Sequence, residues 1–230
     1  MLMTDPKIIV AIDTFDFEKA NAILEQLNPD HCLVKIGSVV FNALGKSFLK
    51  HASSQGFKIF LDLKLHDIPN TVHETIIGFN DCKIDMLTVH LSGGEEMLKK
   101  AMLAGKSINT KVIGVSMLTS LEEEDSLALF DNKLEDQISN LFKIAIKANI
   151  DGIVCSPHEL KTANKILGSH SIKITPGIRD IKVEDDQART MSAKEAIEKG
   201  STYLVIGRPI TQAENISQAL QSFNNSIYEK

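Results

Sequence analysis

A (β/α)8 barrel is the fold class the sequence predicts, and three observations predict it. Short apolar, β-branched runs alternate with amphipathic stretches of helical period, eight of each along the chain. Over 230 residues this leaves about 29 per strand–helix pair, close to the roughly thirty that a strand, a helix and two short loops take up. The runs lack polar alternation, as strands of a parallel sheet buried on both faces do. Eight such units in one domain over residues 1–230 point to a closed α/β barrel, with a doubly wound open sheet as the alternative.

The elements follow in order. A first strand is expected at residues 8–13, apolar until Asp13, with a helix at 17–27. The second, 32–36, holds Lys35 among Leu33, Val34 and Ile36, and a helix follows at 39–53. The third, 58–63, contains Asp62 and runs into Lys64, then a turn through Asp67-Ile68-Pro69-Asn70 and a helix at 72–79. The fourth, 84–89, ends at His90 before a helix at 95–103. The fifth, 111–117, leads to Thr119-Ser120, a loop over 119–132 and a helix at 134–147. The sixth, 152–155, ends at Ser156 before a helix at 157–166. The seventh, 172–175, ends at Pro176-Gly177, with a polar loop over 179–189 and a helix at 193–199. The eighth, 203–206, is closed by Gly207-Arg208 and followed by a helix at 210–223.

Composition removes several classes of function. With 43% hydrophobic residues a domain of this length buries roughly 70–75% of its unfolded surface, enough for a core without disulfides or metal. Thirty acidic against 25 basic residues, mixed along the chain for a net charge of −5, leave no basic stripe for nucleic-acid phosphates. The longest apolar runs fall far short of the roughly 20 residues of a membrane span, and the first residues, with Asp5 and Lys7, do not form a secretory signal. Three cysteines at wide spacing (Cys32, Cys82, Cys155) fit neither a disulfide framework nor a zinc site and imply a reducing compartment. A soluble cytoplasmic protein is expected.

In a barrel the active site lies at the C-terminal ends of the strands. Those ends carry Asp13, Lys35, Asp62, Lys64 and Arg208, charged residues where strands normally hold Val or Ile. Asp62 and Lys64 are two apart and so share a face of their strand. A structural salt bridge is the competing reading, but partly buried charges cost several kcal/mol unless paired, so convergence of this many points to function. Gly207-Arg208 offers close backbone approach and a guanidinium fork for a phosphate, at the place where barrel enzymes often bind one. His66 and His90 lack a metal spacing and read as structural. Ser92-Gly93-Gly94 reads as a strand-to-helix turn, the acidic run from Glu122 to Asp125 as a solvated loop, and Cys155 as core.

The run Leu61-Asp62-Leu63-Lys64-Leu65-His66-Asp67-Ile68-Pro69-Asn70-Thr71 resembles the signature of the orotidine 5'-phosphate decarboxylase family. Ala11-Ile12-Asp13, Lys35-Ile36-Gly37, Leu118-Thr119-Ser120, Thr175-Pro176-Gly177-Ile178-Arg179 and Val205-Ile206-Gly207-Arg208-Pro209 match its other strand-end motifs, so the resemblance spans nearly the whole chain, in its short bacterial form. A sister group of Mg²⁺-dependent sugar-phosphate enzymes, hexulose-phosphate synthases and 3-keto-gulonate-phosphate decarboxylases, shares Asp-x-Lys-x-x-Asp but is expected to carry a carboxylate where this chain has Lys35.

The resemblance implies a cofactor-free carboxy-lyase without a metal, turning orotidine 5'-phosphate into UMP and CO2 in pyrimidine biosynthesis. It implies Lys64 as proton donor to C6, Asp62 beside the substrate carboxylate, and Lys35 completing a Lys–Asp–Lys–Asp array with Asp67. Asp13 and Lys35 would hold the ribose, Thr119 and Ser120 the base. Pro176 would line the site, while Gly207, Arg208, Arg179 and Gln187 would bind the phosphate. Asp67 and Thr71 would serve the partner's site in a homodimer. A phosphate-binding barrel without catalysis is the remaining alternative.

Overall fold

Each apolar run becomes a strand, because a β-branched segment buried on both faces satisfies its backbone only in a sheet. The computed structural model describes residues 6–168, 171–179 and 191–228. Its strands are β1 (Ile8–Ile12), β2 (Leu33–Gly37), β3 (Ile59–Leu65), β4 (Met86–His90), β5 (Lys111–Val115), β6 (Gly152–Val154), β7 (Ile172–Thr175) and β8 (Tyr203–Ile206). Neighbours in sequence pair in parallel, and β1 pairs with β8 to close the barrel. The open-sheet alternative is thereby excluded.

The helices are α1 (Phe17–Glu25), α2 (Ser38–Ser54, kinked at Gly45 where φ is 61°), α3 (Pro69–Ile77), α4 (Gly94–Ser107), α5 (Glu123–Phe130), α6 (Leu134–Lys147), α7 (Leu160–Leu167), α8 (Ala193–Glu198), α9 (Arg208–Thr211) and α10 (Ile216–Tyr228). Local chemistry starts several of them. Asp16 Oδ1 accepts the Lys19 N–H (3.2 Å) ahead of α1, and Ser192 Oγ accepts the Glu195 N–H (3.3 Å) ahead of α8. Pro69 opens α3, where its missing N–H costs nothing.

Two expectations are corrected. The acidic run from Glu122 to Asp125 is the start of a helix, α5, rather than a solvated loop. The Glu122 N–H donates to Asp125 Oδ2 (2.9 Å), and the carboxylates of the first turn complement the helix dipole. The single helix expected over 210–223 is two, the short α9 and then α10, because Asn215 Oδ1 accepts the Gln218 N–H (2.9 Å) and caps a fresh start.

Side-chain parity divides the interior. Ile8, Val10 and Ile12 of β1 face the helices, in the large cluster that also holds Phe48, Leu49, Leu98 and Phe142. Ile9, Leu33, Phe60, Met86, Ile113 and Ile174 point inward and fill the barrel's lower half. Two residues further along β2, β3 and β4 the same inward face carries Lys35, Asp62 and Thr88. An apolar floor therefore lies directly beneath a charged layer. All three cysteines are buried and free, and burial pushes the Cys32 thiol up to about 12 and raises that of Cys155. Among the described residues no helix is long and apolar enough to cross a membrane.

Candidate active site

The charged layer is organised around Asp62. Lys64 Nζ lies 3.0 Å from Asp62 Oδ1 and 2.9 Å from Oδ2, and Lys35 Nζ stands 3.5 Å from Oδ2. Asp62 is the most enclosed of the three, its side chain 12% exposed against 17% for Lys35 and 35% for Lys64. Burial opposes its ionisation. Lys35, Lys64 and the hydrogen bonds from Lys64 and Thr88 outweigh burial and hold the carboxyl below the ordinary carboxylate value. The aspartate is thus a fixed anion between two ammonium groups.

This geometry depends on an irregularity in β3. Leu61 is opposite Leu87 of β4, yet Leu65 is opposite Val89, so four steps on β3 match two on β4. The surplus backbone turns at Lys64, whose φ is 50°. There the ammonium folds back onto the carboxylate two residues earlier. Thr88, wholly buried on β4, bridges the gap in the ladder: its Oγ1 accepts the Lys64 N–H (2.8 Å) and donates to Asp62 Oδ1 (3.0 Å). On β2, Gly37 leaves room for the neighbouring ammonium, since a Cβ there would lie 3.0 Å from Lys35 Nζ.

Lys35, Asp62, Lys64, Thr119 and Pro176 line one cavity of about 150 Å³ at the C-terminal ends of the strands, with Phe60, Val115, Val154 and Val205 as apolar wall. Five of the expected site residues are therefore brought together. Asp13 is exposed just beyond β1, and Ser120 is exposed in the connection after β5. Gly207 caps α9, and a Cβ on it would lie 3.6 Å from Ala11. Arg208, exposed, begins that helix. Arg179 is half-buried and donates from Nη1 to the Ile178 carbonyl (2.9 Å). Asp67 and Thr71 are exposed and do not line their own chain's cavity; Asp67 Oδ1 accepts the Ile68 N–H (2.6 Å). Gln187 lies outside the described residues.

At the rim, the His66 and His90 rings stand 5.4 Å apart. Burial first, then His66 and Lys64, lower the His90 pKa, which favours its neutral form. Among the described residues no group of three or more His, Cys, Asp and Glu is arranged to hold a metal ion. A larger cavity, about 660 Å³, opens where the strands begin. Its carboxylates are committed to the fold, Asp85 accepting the Ile59 N–H (2.9 Å) and Asp151 the Val112 N–H (2.8 Å).

Thr88 belongs to the site's architecture but carries no sequence signal of its own, since a threonine inside an apolar strand reads as a good β-former. Gly37 stands in the Lys35-Ile36-Gly37 motif, but the room it leaves for the ammonium does not show in the sequence.

The chain is similar to known proteins over nearly its whole length. A family model described as "Orotidine 5'-phosphate decarboxylase / HUMPS family" matches residues 6–223. Orotidine 5'-phosphate decarboxylase of Psychromonas ingrahamii is 39% identical over 230 residues, covering 98% of each chain. That of Actinobacillus succinogenes is 41% identical, covering 97% of this chain and 98% of its own. Among solved structures, the orotidine 5'-phosphate decarboxylase of Lactobacillus acidophilus superposes with a TM-score of 0.86 at 35% identity, covering 98% of this chain and all of that one. The Methanocaldococcus jannaschii enzyme, complexed with the inhibitor BMP, shares the fold with a TM-score of 0.79 at 22% identity, covering 98% of this chain and 100% of its own. On this evidence the chain belongs to the orotidine 5'-phosphate decarboxylase / HUMPS family.

Proposed function

We propose that the protein decarboxylates orotidine 5'-phosphate to UMP and CO2 in pyrimidine biosynthesis. One observation carries the reading: Asp62 is held between the Lys35 and Lys64 ammonium groups at the mouth of the barrel. Lys35 occupies the strand where the Mg²⁺-dependent sister enzymes are expected to carry a carboxylate.

In the reaction the bond between C6 and the carboxylate breaks, CO2 departs, and the electron pair stays at C6 in an orbital orthogonal to the ring π system. The ring cannot delocalise that pair, so stabilisation is electrostatic. The Lys64 ammonium stands beside C6, lowers the energy of the developing carbanion and then gives it a proton. Asp62, a fixed anion, repels the substrate's carboxylate, and the repulsion is relieved as CO2 leaves. Lys35 and Asp13 bind the ribose. Thr119, Ser120 and Pro176 enclose the base. Gly207, Arg208, Arg179 and Gln187 bind the phosphate, whose remote binding energy is realised in the chemical step.

Asp67 and Thr71 are assigned to the partner's site in a cytoplasmic homodimer, where Asp67 completes the Lys–Asp–Lys–Asp array. Both are exposed, as residues offered to a second copy must be. Mixing inactive Lys64→Ala and Asp67→Ala proteins under subunit exchange regenerates one intact site per heterodimer, so activity reappears. Continued inactivity with exchange verified would rule out the shared site.

The reaction itself is tested by following loss of orotidine 5'-phosphate in the ultraviolet with excess EDTA. Conversion to UMP is expected. No conversion by folded protein would redirect the assignment to Mg²⁺ and sugar phosphates, and inactivity there to a binding role.

A further inference from the structure

Where the β3–β4 ladder is broken, one side chain satisfies both strands. Thr88 follows Met86 by two residues, so it faces inward like that residue, and it is wholly buried. A buried hydroxyl has one proton to give and lone pairs to receive. Here the directions are forced by the partners: the Lys64 N–H can only donate, and the ionised Asp62 carboxylate can only accept. Thr88 Oγ1 therefore receives the Lys64 N–H at 2.8 Å and donates to Asp62 Oδ1 at 3.0 Å. The first bond anchors the backbone of the residue whose φ is 50°, and the second fixes the oxygen that also receives Lys64 Nζ at 3.0 Å.

We propose that Thr88 is a positioning residue for the reaction, its hydroxyl holding the Lys64 backbone and the Asp62 carboxylate in the relative placement that proton transfer to C6 needs. Thr88 does not line the cavity, so it acts through those two groups rather than on the substrate. The inference rests on the decarboxylase reading. It goes beyond that reading by making a residue outside the Asp-x-Lys-x-x-Asp segment necessary for that segment's geometry.

The test compares Thr88→Val, which keeps the shape and removes the hydroxyl, with Thr88→Ser, which keeps the hydroxyl and removes a methyl. Wild-type turnover of orotidine 5'-phosphate is measured first, and its absence would overturn the decarboxylase reading. With active wild type, Thr88→Val is expected to lose about 10- to 100-fold in kcat, as for reacting groups displaced by up to about 1 Å, with KM within about twofold. Thr88→Ser is expected to return kcat to within about threefold of wild type. A merely structural hydroxyl would lower thermal stability while leaving kcat of the folded enzyme unchanged, and that result would overturn the proposal. So would a Thr88→Ser protein as slow as Thr88→Val, or a loss carried by KM. If Thr88→Val does not fold, Thr88→Ala, which also lacks the hydroxyl, takes its place under the same criteria.

Discussion

Replacing Lys64 by glycine and by alanine separates the backbone of the site from its charge. Both changes delete the ammonium and its contacts with Asp62, so those losses cancel between the two proteins. What differs is the cost of holding a φ of 50°. Of the four described non-glycine residues with positive φ, Asn109, Asp131 and Asn149 are types that tolerate this region, whereas Lys64 is a long side chain on a strand. A Cβ in the left-handed region costs about 1–2 kcal/mol, and glycine's larger backbone entropy in the unfolded chain returns about 0.5–1 kcal/mol of that. Lys64→Gly should therefore be more stable than Lys64→Ala by about 0.5–1 kcal/mol, about 1–4 °C in Tm for a chain of this size. At an ordinary strand position the order is reversed, so Lys111→Gly should be less stable than Lys111→Ala by about 0.5–1 kcal/mol. Thermal or urea unfolding of the four proteins at one concentration reads both differences. If alanine proves the more stable replacement at position 64 as well, the backbone there is unstrained and the reasoning fails.

Three further outcomes are expected. Gly37→Ala must displace the Lys35 ammonium, 3.0 Å from the new Cβ, by a few tenths of an ångström, and should lower kcat about tenfold. With φ at −95° the new side chain brings no backbone strain, so Tm should stay within about 2 °C, and an unchanged kcat would mean that Lys35 position is not critical. Asp62 titrates below the ordinary carboxylate value near 4, so its ion pairs contribute fully above about pH 4 and are lost as pH falls through the folded value. The stability difference between wild type and Asp62→Asn should narrow below about pH 4, and a constant difference from pH 6 to 3 would contradict the depressed pKa. If Arg208 binds the substrate phosphate as proposed, Arg208→Ala should lose a charged hydrogen bond, about 1.5–3 kcal/mol or about 10- to 150-fold in kcat/KM. Turnover of the phosphate-free nucleoside should not change, and an equal loss on both substrates would remove Arg208 from phosphate binding.

The barrel was legible because its cause is periodic: apolar runs at about 29-residue intervals have few other ways to bury both faces. The charges were legible for the opposite reason, each breaking a strand pattern at the end where barrel sites form. Strand alternation correctly set Asp62 and Lys64 on one face, but the contact between them depends on surplus backbone that alternation does not encode. No glycine or asparagine marks the left-handed turn, because Lys64 itself adopts it. Thr88 was hidden by its own suitability for a strand. The α5 helix was hidden by four consecutive acids, which read as solvated charge until the Glu122 N–H is seen donating to Asp125.

The surplus in β3 is two residues, and its evenness decides which way the end of the strand faces. Leu61 and Leu65 both pack in the outer cluster, opposite Leu87 and Val89 of β4, so the strand leaves the detour facing as it entered. Loss of a single residue between them would turn Leu65, where the strand ends, from the outer cluster toward the barrel interior. Loss of both Leu63 and Lys64 would restore an unbroken ladder and a barrel with less strain, but without the proposed proton donor. The regular barrel thus lies one paired deletion away, and reaching it would remove one of the two ammonium groups that hold Asp62.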